Sequence, residues 1–411
     1  MPSVCFYFQV HQPYRLRKYT VFDVNNNHNY FDDEKNYAIM RRVADKCYLP
    51  TNQILLDLIN KFDGKFKIAY SFTGVVLEQL ESFTPEALES FKKLVDTGCV
   101  EILDETYYHS LAFLYSKKEF KQQIKMHNQK IRELFNYKPK VFRNTELTYN
   151  NELANFIEKI GYKGILAEGA DHILEWRSPN LIYKAKTTNN LKLLLKNYKL
   201  SDDIAFRFSE KSWKEWPLTA DKFAAWVSNA PGQTVNLFMD YETFGEHQWS
   251  STGIFEFLRH LPYELIKYRN IDFKTPKELI KKYEPVAELD IHSVVSWADI
   301  ERDLSAWLGN KMQQTAIAKI YELREKILKT KDKKLIEDWR KLQISDHFYY
   351  MCTKWFADGD VHKYFNPYDS PYECFIAYMN ILNDINQRLE KGGVKDGNKN
   401  LFERSSIESI G

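Results

Sequence analysis

The chain predicts an α/β protein with a parallel sheet or barrel, followed by a helical C-terminal region. Three observations carry that expectation. Short apolar strands alternate with helical patterns from the start to roughly residue 260. Each strand runs into polar residues at its C-terminal end. From about Pro276 onward the pattern changes to long polar helices without strand periodicity.

Taken in order, VCFYFQV (4–10) is strand-like and stops at His11, and KFKIAYSF (65–72) stops at Thr73-Gly74. CVEIL (99–103) stops at an acidic, aromatic stretch. Between residues 115 and 137 a helix follows, with Ser116 as N-cap, Glu119 placed to complete a capping box, and Pro139 closing it off. VFRNTE opens on the apolar pair Val141-Phe142 and ends at Glu146. Asn150 then caps a helix through Ile160, Gly161 ends it, and GILA (164–167) starts the next strand, a β-α-β unit with Glu146 at its hinge. TVNLFMD ends at Asp240. Helices are expected over 311–330, 333–353 and 371–390. These segments divide the chain into a catalytic domain over 1–275, a helical domain over 276–391 contributing to the cleft, and a Gly, Lys, Asn and Ser-rich tail over 392–411, expected to be poorly ordered.

Composition removes several function classes. At 411 residues and 44% hydrophobic, the chain can bury a large core. Fifty-eight basic and 56 acidic residues leave a net charge of +2, too weak a field to imply nucleic acid or an anionic membrane as partner. The five cysteines (5, 47, 99, 352, 374) are widely spaced, form no CxxC pair, and read as reduced thiols. The N-terminus has no basic leader before a long apolar run, and no stretch approaches about 18 uninterrupted apolar residues, so a cytoplasmic location is expected. Neither a P-loop nor a GxGxxG motif occurs. Aromatic residues make up 15% of the chain, and flat rings stack well on the C–H faces of sugars.

The chemistry concentrates in a few clusters. A buried strand that delivers a carboxylate to the mouth of a fold is how glycosidases mount a nucleophile and a proton donor, and Glu146 and Asp240 are both so placed. Asp240 is followed by Glu242, Glu246 and His247 around Gly245. His11 and Gln12 lie on a turn stiffened by Pro13. Glu101 and His109 bracket Tyr107 and Tyr108, and Trp297 and Trp307 flank Asp299, Glu301 and Asp303. Each cluster alone also fits a plain structural role: a solvated loop, packed tyrosines, tryptophans in a core.

Read together and in this order, the clusters closely resemble glycoside hydrolase family 57, the α-amylase-like family of α-glucan enzymes. Its five short regions have counterparts in HQP (11–13), the 101–109 stretch, FRNTE (142–146), MDYETFGEH (239–247) and SWADIERDLSAW (296–307). The third and fourth are the specific ones. The resemblance implies an incomplete (β/α)7 TIM-like barrel followed by a helical bundle, with Glu146 as nucleophile and Asp240 as general acid/base. It also makes His11, Gln12, Glu101, His109, Glu242, His247, Trp297 and Trp307 candidates for gripping an α-glucan or malto-oligosaccharide. NYKLSDDIAFRF (197–208) and SDHFYYM (345–351) look more like the α-amylase members than the larger branching enzymes.

The implied reaction is a retaining double displacement, in which Asp240 protonates the glycosidic oxygen and Glu146 attacks the anomeric carbon. Asp240 must then carry a raised pKa. This chemistry needs no metal or other cofactor. A 4-α-glucanotransferase shares the same intermediate and differs only in whether water or a sugar arrives second. A polysaccharide deacetylase would need an HxxxH pair, which the ten histidines do not form. A silent glucan-binding relative would have no reason to keep both carboxylates.

Overall fold

The computed structural model describes residues 2–269, 271–354 and 366–391; the expected tail over 392–411 lies outside them. It is an α/β fold of parallel strands and many helices. Among the described residues ten strands run in chain order: β1 (Ser3–Val10), β2 (Ile68–Phe72), β3 (Val100–Ile102), β4 (Val141–Arg143), β5 (Gly164–Glu168), β6 (Tyr183–Ala185), β7 (Lys192–Lys196), β8 (Thr234–Asp240), β9 (Asp272–Phe273) and β10 (Ala287–Leu289).

They form two sheets. One has the order β3-β2-β1-β8, all parallel, with β9 also on β1. The other has the order β10-β6-β7-β5-β4, parallel except for β6 on β7. Two seams link them. Beyond β3 a single parallel bridge joins Asp104 to Phe142 of β4. Beyond β7, Asn197 donates its N–H to Asn236 of β8 at 2.9 Å, and the Asn236 amide donates to the Leu195 carbonyl at 2.8 Å.

The period of two explains which side chains go where. Cys5 and Tyr7 of β1 point inward with Ala69, Val141, Leu166, Leu194 and Phe238, so both sheets share one interior. Val4, Phe6 and Phe8 point outward into a layer of helices. Burial on both faces accounts for the continuous apolar runs of β1 and β8. All five cysteines are buried free thiols, and among the described residues no helix is long and apolar enough to cross a membrane.

Local caps agree with the sequence in part. Ser116 accepts from the Glu119 N–H at the start of helix Lys117–Phe135, but the Glu119 carboxylate turns to Arg340 at 2.8 Å instead of closing a capping box. That helix ends at Asn136, whose left-handed backbone stops it before Pro139. Asn150 caps helix Asn151–Lys159.

After Pro276 the structure departs from an all-helical expectation. Helix Pro276–Lys282 leads to strand β10, which pairs with β6. The helices expected over 311–330 and 333–353 are each divided, into Lys311–Glu322 and Arg324–Thr330, and into Lys333–Lys341 and Ser345–Tyr349. The second break has a visible cause. Ile344 pairs with Ser110 and the Ser345 N–H bonds to the His109 carbonyl at 2.9 Å, which pulls the chain out of the helix. Helix Pro371–Lys391 packs as expected.

Candidate active site

The C-terminal ends of the parallel strands open into one cleft of about 780 Å³, the edge where α/β proteins gather functional groups. His11, Gln12, His109, Glu146, Asp240, Glu242, His247 and Trp297 all line it. Glu101 and Trp307 do not.

Glu146 occupies a short turn, Thr145–Leu147, with left-handed backbone at φ 58°. A non-glycine residue held there is strained, and such strain collects at functional sites. The Trp297 N–H fixes the turn by donating to the Glu146 carbonyl at 3.2 Å. Two donors then grip the carboxylate: Trp297 Nε1 to Oε2 at 2.7 Å and His109 Nε2 to Oε1 at 3.0 Å. With 19% of its side chain exposed, Glu146 still reaches the cleft.

His109 works as an imidazolium, because its Nδ1 also donates, to Glu105 Oε2 at 3.2 Å. Burial disfavours that charge, yet the bonds to Glu105 and Glu146 push its pKa up to about 9. Glu105, which also accepts from Gln9 at 2.9 Å, is held down to about 2 against its burial, chiefly by His109. Burial likewise raises Glu146, but the His109 bond and charge, with Arg143, bring it below the usual carboxylate range. The ring of His11 stacks on His109 with centroids 4.1 Å apart. His11 is itself held between Thr73 and Asp346, each at 2.9 Å. Burial, then the His109 charge, lowers its pKa.

Asp240, the last residue of β8, sits in register with Gln9 of β1. Burial, then the charge of Glu146, raises its pKa to about 6. Next to it, burial and the charge of Asp240 push Glu242 to about 8, while Tyr48 and Gln12 hydrogen-bond its Oε1. Burial lowers His247 to about 4. Gly245 makes this loop possible, since at φ +112° a Cβ would lie 2.0 Å from the Lys46 carbonyl oxygen.

Sequence reasoning misplaced two residues. Glu101 is the middle of β3, and its carboxylate accepts the Lys277 N–H at 2.7 Å, capping helix Pro276–Lys282 away from the cleft. The residue of that stretch that lines the cleft is His109, and Glu105 is wholly buried behind it as its hydrogen-bond partner. Trp307 is 1% exposed and packs in the helical core beside Tyr349.

Other residues were missed. Asp346 and Tyr349 line the cleft, and both lie in the SDHFYYM stretch singled out without a role. Lys196, Asp202 and Arg302 form a charged wall: Lys196 bonds Asp202 at 2.9 Å, and Arg302 bonds Asp202 at 3.1 Å and Glu168 at 3.3 Å. Burial raises Glu168 to about 7 despite the two cations. The ends of β5 and β7 were the available signal.

The family model for glycosyl hydrolase family 57 matches residues 5–292. The chain belongs to that family. It is 44% identical over 404 residues to a putative alpha-amylase of Methanocaldococcus jannaschii, covering 94% of this chain and 85% of the relative. A branching enzyme of this family from Pyrococcus horikoshii matches in fold with a TM-score of 0.64, at 15% identity over 95% of this chain and 92% of that one. The 4-alpha-glucanotransferase of Thermococcus litoralis matches with a TM-score of 0.57, at 18% identity over 89% of this chain. This chain spans 54% of the length of that transferase.

Proposed function

We propose that the protein is a retaining glycoside hydrolase of α-1,4-glucans, with Glu146 as nucleophile and Asp240 as general acid/base, on an incomplete (β/α)7 barrel with a helical bundle behind it. The observation that carries this reading is the divergence of two carboxyls in one cleft. Glu146 is gripped by two donors and held low; Asp240 is buried and raised to about 6. Such a split separates the group that attacks from the group that protonates.

Asp240 gives its proton to the glycosidic oxygen as Glu146 bonds the anomeric carbon. Once Glu146 is esterified its charge is gone, so the pKa of Asp240 falls and it becomes the base that deprotonates water. Glu242, kept protonated, offers a donor to a sugar hydroxyl, while both N–H groups of the His109 imidazolium are spent on Glu105 and Glu146, so His109 holds the nucleophile in place. His11, Gln12, His247 and Trp297 complete the grip. The name of the Methanocaldococcus relative favours starch, glycogen or malto-oligosaccharides as substrate. A cytoplasmic location belongs to the same proposal, and cell fractionation tests it.

A second reading, 4-α-glucanotransfer, draws on the exposed apolar rim of the cleft, where Phe206 is 57% and Ile300 84% exposed. Such surfaces favour an incoming sugar over water. Incubation with maltoheptaose and with amylose, beside a Glu146→Gln control, decides. Shorter maltodextrins alone mean hydrolysis, shorter and longer chains together mean transfer, and unchanged substrates refute both.

A further inference from the structure

Beyond its charge beside Glu146, Arg143, the last residue of β4, has no part in the roles assigned above. Its side chain is wholly buried, and among the described residues none of its three nitrogens has a hydrogen-bond partner. A buried guanidinium brings five N–H donors and a full charge, so leaving them uncompensated is costly. Its nearest carboxylate is Glu105, with NH1 3.9 Å from Oε2. Its closest aromatic partner is Trp297, with the guanidinium carbon 4.9 Å from the ring centroid. Lys196 Nζ lies 5.2 Å from the same ring. The edge of that ring carries the N–H that bonds Glu146 at 2.7 Å.

We infer that Arg143 is a positioning residue, which holds the Trp297 N–H on the Glu146 carboxylate through its stack on the indole and its buried charge. The inference rests on Glu146 being the nucleophile. A cation over the face of an indole is attracted to the ring and draws electron density from it, which strengthens the N–H as a donor. A planar guanidinium also restricts the tilt of the ring in a way that a flexible ammonium does not. The charge acts directly as well: against burial, which raises all three, Arg143 pulls Glu146, Asp240 and Glu105 downward. The titratable and charged groups facing Glu146 are His109, Arg143, Asp240 and Asp346, and those facing Asp240 are Glu146, Arg143, Lys196, His109 and Glu242. Arg143 is common to both sets and does not touch the cleft.

The test is kcat and kcat/KM against pH, on a malto-oligosaccharide, for Arg143→Met, Arg143→Lys, Trp297→Phe and the Arg143→Met, Trp297→Phe double variant. Arg143→Met is expected to fold and to lose about 10²-fold in kcat, as a misplaced reacting group does. Both limbs of its pH profile move to higher pH, because Glu146 and Asp240 each lose a nearby positive charge. Arg143→Lys returns the limbs to their original place but not the full kcat. Arg143→Met adds little to an enzyme already carrying Trp297→Phe. A folded Arg143→Met enzyme with unmoved limbs overturns the inference, as does an equal cost in the two Trp297 backgrounds. Should Arg143→Met fail to fold, Arg143→Lys decides: lowered kcat with unmoved limbs supports the role, and unchanged kcat refutes it. Glu146→Gln run alongside keeps the failures apart, since activity in that variant removes the nucleophile assignment whatever Arg143 does.

Discussion

Glu146 and Asp240 both stand at the C-terminal ends of parallel strands, yet their surroundings differ in kind. Around Glu146 the chain invests donors: a charged imidazole, an indole N–H and a buried guanidinium behind the indole. Around Asp240 there is burial and the negative charge of Glu146, with the protonated Glu242 beside it. One environment favours the ion and the other the neutral acid, which is the split the proposed roles require. Strand position places a carboxyl at the cleft; its neighbours give it a role.

The largest expected effects come from removing either carboxyl. Glu146→Gln and Asp240→Asn are each expected to lose about 10³ to 10⁶-fold in turnover without unfolding. An aryl α-glycoside with a good leaving group separates them. Its departure needs little proton assistance, so Asp240→Asn keeps a burst of released aglycone in stopped-flow while Glu146→Gln shows none. Equal behaviour on that substrate would erase the distinction between the two walls.

Next comes Trp297→Phe, which keeps the ring but deletes one hydrogen bond to a charged carboxylate, about 1.5 to 3 kcal/mol. A fall of roughly 10 to 100-fold in kcat/KM is expected. Its acid limb should move up, because the deleted donor favoured the ionised form of Glu146. On the proposed assignment the active form of the unmodified enzyme has Glu146 ionised and Asp240 protonated. Activity should therefore decline as pH rises through about 6, where Asp240 loses its proton, and on the acid side only where Glu146 gains one, below the usual carboxylate range.

Smaller still is Glu242→Gln. With its pKa near 8, Glu242 is already neutral at the working pH, and an amide imitates a neutral acid. A loss within about tenfold is expected; a loss matching that of Asp240→Asn would mean that the proton donor has been misassigned. Glu101→Gln should leave kcat untouched and lower stability by about 1 kcal/mol through a weakened helix cap, read by thermal melting.

Much of this was legible in the chain. Apolar runs that end abruptly in polar residues marked β1, β4 and β8, and with them His11, Glu146 and Asp240, because burial on both faces leaves a continuous signature. Short strands were harder. Three residues of β3 do not fix where the strand stops, so nothing in the sequence separates Glu101, inside the strand, from Glu105, the acid that holds His109 four positions later. The break before Ser345 was hidden for another reason: it comes from pairing with Ser110, a contact 234 positions away in sequence. Trp297 and Trp307 looked alike in a string of letters, and only packing assigns one to the carboxylate and the other to the core.

Trapping the glycosyl-enzyme tests the central claim most directly. The purified protein is reacted with an activated fluorosugar that slows the second step, then digested and read by mass spectrometry. The peptide spanning 142–146 should carry the sugar on Glu146, while the peptide containing Asp240 stays unmodified. A label on Asp240, or an active enzyme that never forms a covalent adduct, would contradict the division of labour between the two walls.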